Sequence, residues 1–179
     1  MLIVAYIVLA FTIIQLLVAL MNLLPGAHLP RKAVKHDNLV SVLIPARNEE
    51  ANIGTILRDL SEQEYKNIEI LVFDDQSEDR TAEIVDRMAA ADSRIRLVTS
   101  EGLPEGWLGK NHACHTLSKL AKGDYLLFLD ADVRISNNTI GRAVSYSRKH
   151  DLALISIFPK QIIASFGEKF TVPNMNYIL

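Results

Sequence analysis

Residues 123–134 read GDYLLFLDADVR, and the fold of the chain turns on how this stretch is read. Tyr125 to Leu129 is an unbroken apolar run of strand length, the pattern of a strand buried on both faces. It stops at Asp130-Ala131-Asp132. If the backbone stays extended over that step, side chains two apart point the same way. A hydrophobic strand then delivers two carboxylates to one place at its carboxyl end. Such charges repel unless a proton or a cation lies between them, and hard oxygen donors suit Mg²⁺ or Mn²⁺. A solvated acidic turn has the same three letters, so the flanking chain decides.

Working outward, the chain alternates strand and helix patterns. Leu39 to Ile44 reads as a first strand, Ile68 to Phe73 as a second and Ile95 to Val98 as a third, with the acidic strand fourth and Leu152 to Phe158 fifth. Between them, Ile53, Ile56, Leu57 and Leu60 stripe one helix, and Thr81, Ile84, Val85 and Met88 a second. Ala113, Leu117, Leu120 and Ala121 stripe a third, and Thr139 to Lys149 forms a fourth. Asn48 and Asn111 are placed to cap the first and third of these helices. The alternation implies right-handed crossovers and an α/β fold, a mostly parallel sheet with helices on both faces.

In such sheets ligands bind outside the carboxyl ends of the strands. The polar clusters fall there: Pro45 to Glu50, Asp74 to Asp79, Trp107 to Lys110, and Asp130 with Asp132. Asn48 and Glu49 also suit a plain helix start, and Ser77 with Asp79 suits another. Asp74 and Asp75 can accept hydrogen bonds from a base or a ribose. Lys110 gains nothing from a helix dipole at that end, so a ligand phosphate explains it better. Trp107 either stacks on a ring or covers the sheet edge. His112, Cys114 and His115 read as a core cysteine with two surface histidines rather than a soft-metal site. Neither G-x-G-x-x-G nor G-x-x-x-x-G-K-[ST] occurs, so a dinucleotide fingerprint and a P-loop are both unsupported.

The 179 residues leave room for one ordinary domain besides an apolar segment at the start. Leu2 to Leu24 carries no charge and spans roughly 34 Å as a helix, enough to cross a bilayer. No basic residue precedes it and no A-x-A site follows, which favours an anchor over a signal peptide. Arg31, Lys32 and Lys35 follow it, so the positive-inside rule places the globular part in the cytoplasm on a single-pass anchor, beside membrane lipids. A net charge of −2 gives no reason to expect a nucleic-acid partner, and the single Cys114 permits no intrachain disulfide. The expected organisation is an anchor at 1–25, a basic linker at 26–38, an α/β domain at 39–158, and an apolar membrane-proximal tail at 159–179 with Ile162, Ile163, Phe166, Phe170 and Val172.

SVLIPARNEE, FDDQSEDRT, GWLGKNHA and LLFLDADV, in this order and each after a strand, resemble the family 2 glycosyltransferases of GT-A fold. The anchor followed by LPEGWLGKNHAC is most similar to the membrane-anchored branch acting on lipid or carotenoid acceptors. The resemblance implies inverting transfer of a sugar from a nucleotide diphosphate sugar, a UDP-sugar above all, to a lipid, carotenoid or polysaccharide acceptor. Pro45, Ala46 and Glu49 would line the nucleoside pocket, and one of Asp74 and Asp75 would contact the base. Lys110 would lie near the nucleotide, while Asp130 and Asp132 would hold ribose and a divalent Mg²⁺ or Mn²⁺. The family also implies a general base and a Gln-x-x-Arg-Trp-like motif in a second half. Neither is found in the 47 residues after Asp132, and Glu168 is a poor substitute. The expectation is therefore the donor-binding half of a longer enzyme, with its base beyond Leu179 and little turnover alone. A nucleotidyltransferase and a non-catalytic membrane-bound remnant are the alternatives.

Overall fold

Val40–Ala46 (β1) lies in the interior of a four-stranded parallel sheet and is buried along nearly its whole length. The computed structural model describes residues 2–23, 29–157 and 165–167. After the apolar helix Leu2–Leu23 (α1), the order is β1, Ile53–Ser61 (α2), Ile68–Asp74 (β2), Thr81–Ala91 (α3), Ile95–Thr99 (β3), Gly109–Leu120 (α4), Tyr125–Phe128 (β4) and Thr139–His150 (α5). The strands lie side by side as β3-β2-β1-β4. Alternating side chains of β1 face two cores. Val40, Val42 and Ile44 meet the α2 stripe, Ile70 and Val72 of β2, Val85 of α3 and Ile140 of α5. On the other face Leu43, Leu71 and Phe73 meet Ala113 and Leu117 of α4. Helices on both faces of a parallel sheet are what the alternation predicts.

β4 departs from its reading. Leu126 stands beside Ser41 and Phe128 beside Leu43, on the α4 face, yet they are 44% and 47% exposed. α4 packs over β1 and β2 and leaves this edge strand bare, so β4 is covered on one face only. The predicted fifth strand is absent as well: residues 152–157 form no ladder, Leu154 is exposed, and Phe158 lies outside the described residues. A strand needs a neighbour to satisfy its backbone groups, and no strand among the described residues lies beyond β4.

β4 reaches β1 through Gly123. A Cβ there would lie 2.6 Å from the Ser41 backbone nitrogen, so only glycine fits this approach. The Gly123 N–H donates to Ser41 Oγ, the hydroxyl donates to Glu69, and Glu69 also accepts the Lys122 N–H. The segment before β1 is docked rather than loose. Arg142 donates to the Pro30 and Leu29 carbonyls, Val34 N–H donates to Ser145 Oγ, and Arg148 donates to Asn38. The expected linker is therefore laid along α5 over residues 29–38, while 24–28 lie outside the described residues. The tail expected at 159–179 lies outside them too, apart from 165–167.

Candidate functional site

The strand order reverses between β1 and β4, and the carboxyl ends of these two strands frame a cleft of about 440 Å³. This is the crevice in which open parallel sheets bind their ligands. Pro45, Ala46, Arg47 and Glu49 line it from the end of β1, Asp75 from the end of β2, and Gly109 with Lys110 from the first turn of α4. Asp130, Ala131 and Asp132 close it beyond β4.

The β1 and β2 turns are tied to each other. Asn48 and Glu49 donate backbone N–H groups to Ser77 Oγ and Thr81 Oγ1, and Glu50 donates to Asp79. In return Glu78 N–H donates to Asn48 Oδ1, and Arg80 donates to Glu50. Asn48 adopts φ 55°, a left-handed conformation that asparagine tolerates. It is thus a cross-link between turns and not the predicted helix cap, for α2 begins only at Ile53 after Asn52. The Glu49 carboxylate accepts from Asn52 Nδ2 and remains at the cleft wall.

The structure separates the two adjacent aspartates. Asp74 is 5% exposed and accepts the Ser77 N–H, so it shapes the turn from below. Asp75 lines the cleft, with Arg47 Nη1 3.9 Å from its carboxylate. Gly109 sits against it: a Cβ there would come within 2.9 Å of Asp75 Oδ2. Arg47 and Gly109 have no place among the predicted site residues. A signal for Gly109 exists, because glycine in the first turn of a helix costs about 1 kcal/mol against alanine and so asks for a reason.

Helix α4 begins at Gly109, two residues before the predicted Asn111 cap, so Lys110 lies inside its first turn. Its Nζ is 2.6 Å from Asp130 Oδ1. That hydrogen bond holds the ammonium above the ordinary lysine range, with burial pulling the other way and Asp132 adding to the rise. The chain does not stay extended after β4. It turns at Ala131-Asp132, with Ala131 buried beneath, and both carboxylates still line the cleft. Beyond the turn the chain is clamped again, as Arg134 makes two hydrogen bonds to Asp59 of α2.

The histidine reading needs correction. His112 is half-buried, edge-on to Phe73 and to Trp107, with its Nδ1 enclosed and without a hydrogen-bond partner among the described residues. Trp107, in the loop before α4, packs on His112 and His115 of that helix. Cys114 is half-buried rather than core, and burial pushes its thiol up, away from a reactive thiolate.

Among the described residues no group of three His, Cys, Asp or Glu side chains is placed to hold a metal. Two cleft carboxylates, Asp130 and Asp132, fit a hard divalent cation that takes its other oxygens from water and a ligand's phosphates. That is how Mg²⁺ is ordinarily held beside a diphosphate.

A parallel sheet with helices on both faces and a crevice at its switch point is an open α/β fold, and its match to solved structures gives it as GT-A type. A mannosyltransferase from Pyrobaculum calidifontis, in complex with GDP-Man and Mn²⁺, superposes with a TM-score of 0.56 at 25% identity, over 68% of this chain and 36% of that one. S. aureus TarS 1–349 in complex with UDP-GlcNAc gives 0.55 at 27%, over 63% and 32%. The chain belongs to the glycosyl transferase family 2, whose pattern it matches over residues 41–176. It is 39% identical over 126 residues to the 4,4'-diaponeurosporenoate glycosyltransferase of Staphylococcus haemolyticus, covering 69% of this chain and 32% of that protein. The chain spans about a third of the length of this relative.

Proposed function

We propose that the chain binds a nucleotide diphosphate sugar, a UDP-sugar before others, for inverting transfer to a lipid-like or polymer acceptor at the cytoplasmic face of a membrane. The observation that carries this reading is the convergence of four strand-end clusters on one cleft, with an acidic pair and a lysine on one side and a polar turn platform on the other. The relatives support it in their own terms: TarS was solved with UDP-GlcNAc, the mannosyltransferase with GDP-Man and Mn²⁺, and the Staphylococcus haemolyticus protein is named for 4,4'-diaponeurosporenoate.

Pro45 and Ala46 offer the nucleoside a wall held by β1, and Glu49 and Asp75 offer acceptors for base and ribose donors. Lys110 supplies a positive charge for the diphosphate. Asp130 and Asp132 would hold Mg²⁺ or Mn²⁺, which when bound neutralises charge developing on the leaving diphosphate. The carboxylates lining the cleft are Glu49, Asp75, Asp130 and Asp132, all assigned to donor and metal. The base that takes the acceptor's proton therefore comes from outside this group.

α1 is long and apolar enough to cross a bilayer, with a mean hydropathy of 2.7 over Leu2–Met21 and none of that window buried. In this reading it anchors the domain, and Arg31, Lys32 and Lys35 keep the cleft on the cytoplasmic side, where nucleotide sugars are made. The test is isothermal titration of the detergent-solubilised chain with UDP-GlcNAc and UDP-glucose. Binding with Mn²⁺ that is lost in EDTA is expected; equal heats in both would overturn the metal assignment, and none in either would overturn the donor-binding reading.

A further inference from the structure

The Lys110–Asp130 pair has a consequence for the order in which the cleft fills, given the proposed donor and metal site. Asp130 is one of the two cleft carboxylates assigned to the cation, and one of its oxygens is 2.6 Å from the Lys110 ammonium. A lysine and a divalent cation cannot share that oxygen without strong repulsion. With no third protein ligand among the described residues, a cation arriving alone competes with the lysine for Asp130 and gains at most two carboxylates in return. A diphosphate changes both terms, since it offers the ammonium another anionic partner and offers the cation further oxygens.

We infer that Lys110 is a place-holding counter-ion: it occupies Asp130 in the empty cleft, moves to the diphosphate when the nucleotide binds, and so makes tight metal binding conditional on nucleotide. Lys110 is accordingly a positioning residue acting through Asp130. The device stores no strain. Both side chains are more than half exposed, 64% and 55%, so the exchange needs only rotamer changes. It also keeps two neighbouring carboxylates from facing each other unneutralised while the cleft is empty. Metal and nucleotide then bind with positive coupling, which by linkage is the same whichever is added first.

The experiment is electron paramagnetic resonance of free Mn²⁺ during titration of the full chain in detergent, without nucleotide and at saturating UDP. Wild type, Lys110→Met, Lys110→Arg, Asp130→Asn and the Lys110→Met/Asp130→Asn double variant are compared. Without nucleotide, Lys110→Met is expected to bind Mn²⁺ roughly three- to tenfold tighter than wild type, while Lys110→Arg stays near wild type. The gain is expected to vanish with UDP bound, and to be absent when the double variant is compared with Asp130→Asn. A gain that persists in the Asp130→Asn background would mean general electrostatics and would overturn the inference. So would the absence of any gain in a protein that binds Mn²⁺ with UDP. If Mn²⁺ fails to bind wild type even with UDP, the metal-site reading itself falls, and this inference with it.

Discussion

The two walls of the cleft are built in different ways. On the β1–β2 wall, two turns exchange hydrogen bonds through Asn48, Glu49, Glu50, Ser77, Glu78 and Asp79, above strands buried on both faces. On the β4 wall, a four-residue edge strand with one bare face leads into a turn whose two carboxylates make one ion pair among the described residues, with Lys110. The difference has a physical basis. Acceptors for a nucleoside are neutral or singly charged, and the protein can satisfy and fix them in advance. In the proposed reading the two carboxylates await a cation and cannot be packed together beforehand without repulsion, so that wall would be completed by the ligands.

Stability separates the walls most strongly. Leu43→Ala removes a fully buried side chain of β1 and should cost about 2–5 kcal/mol, whereas Phe128→Ala, its neighbour across the ladder, should cost about 1 kcal/mol or less. Urea denaturation of the two variants measures this directly, and similar losses would mean that β4 is better covered than the structure shows.

Ligand affinity reverses the ranking. Asp132→Ala leaves the core untouched and should weaken Mn²⁺-dependent UDP binding by roughly 10–100-fold, the usual scale for a lost charge-assisted contact, with an unchanged melting temperature. Titration calorimetry beside a thermal melt checks both halves.

Acid loosens the corner where α3 meets β3, at the amino ends of the strands and away from the cleft. Arg94 holds the Asp92 carboxyl at about 2, against the opposing effect of burial. A depressed folded-state pKa contributes stability that is complete above the unfolded value and lost as pH falls through the folded one. About 2 kcal/mol should therefore disappear between roughly pH 4 and pH 2. Asp92→Asn should be less stable than wild type at pH 7, and the gap should close over that window. A gap that stays constant down to pH 2 would contradict the assigned pair.

Gly109→Ala probes the seam between the walls. The new Cβ displaces only the end of the Asp75 side chain, so stability should hold or rise slightly, since alanine is the better helix residue. UDP affinity should nevertheless fall about three- to tenfold, because a carboxylate acceptor is moved. Unchanged affinity would remove Asp75 from the nucleoside wall.

What could be read from the sequence follows the same division. The α2 and α3 stripes, the four strands and the cluster at each strand end are local patterns, and all appear in the structure at those places. Asn48 misled because a polar residue before an apolar stripe resembles a cap, whereas its partners lie about 30 residues away across two turns. Leu152 to Phe158 misled because an apolar run states only that burial is wanted, not that a strand stands beside it. The apolar run of β4 likewise suggested two covered faces, but coverage depends on where α4 lands. The Lys110–Asp130 pair joins residues 20 apart on different elements, and no periodicity reports such a contact.

Hydrogen–deuterium exchange of the full chain, read by mass spectrometry with and without Mn²⁺ and UDP together, tests the central contrast between a prepared wall and one completed by ligand. Slow exchange over 46–52 and 75–81 that changes little on loading is expected, with fast exchange over 107–111 and 129–133 that slows once metal and nucleotide are both present. Protection gained mainly in the β1–β2 turns, with 129–133 unaffected, would contradict the account.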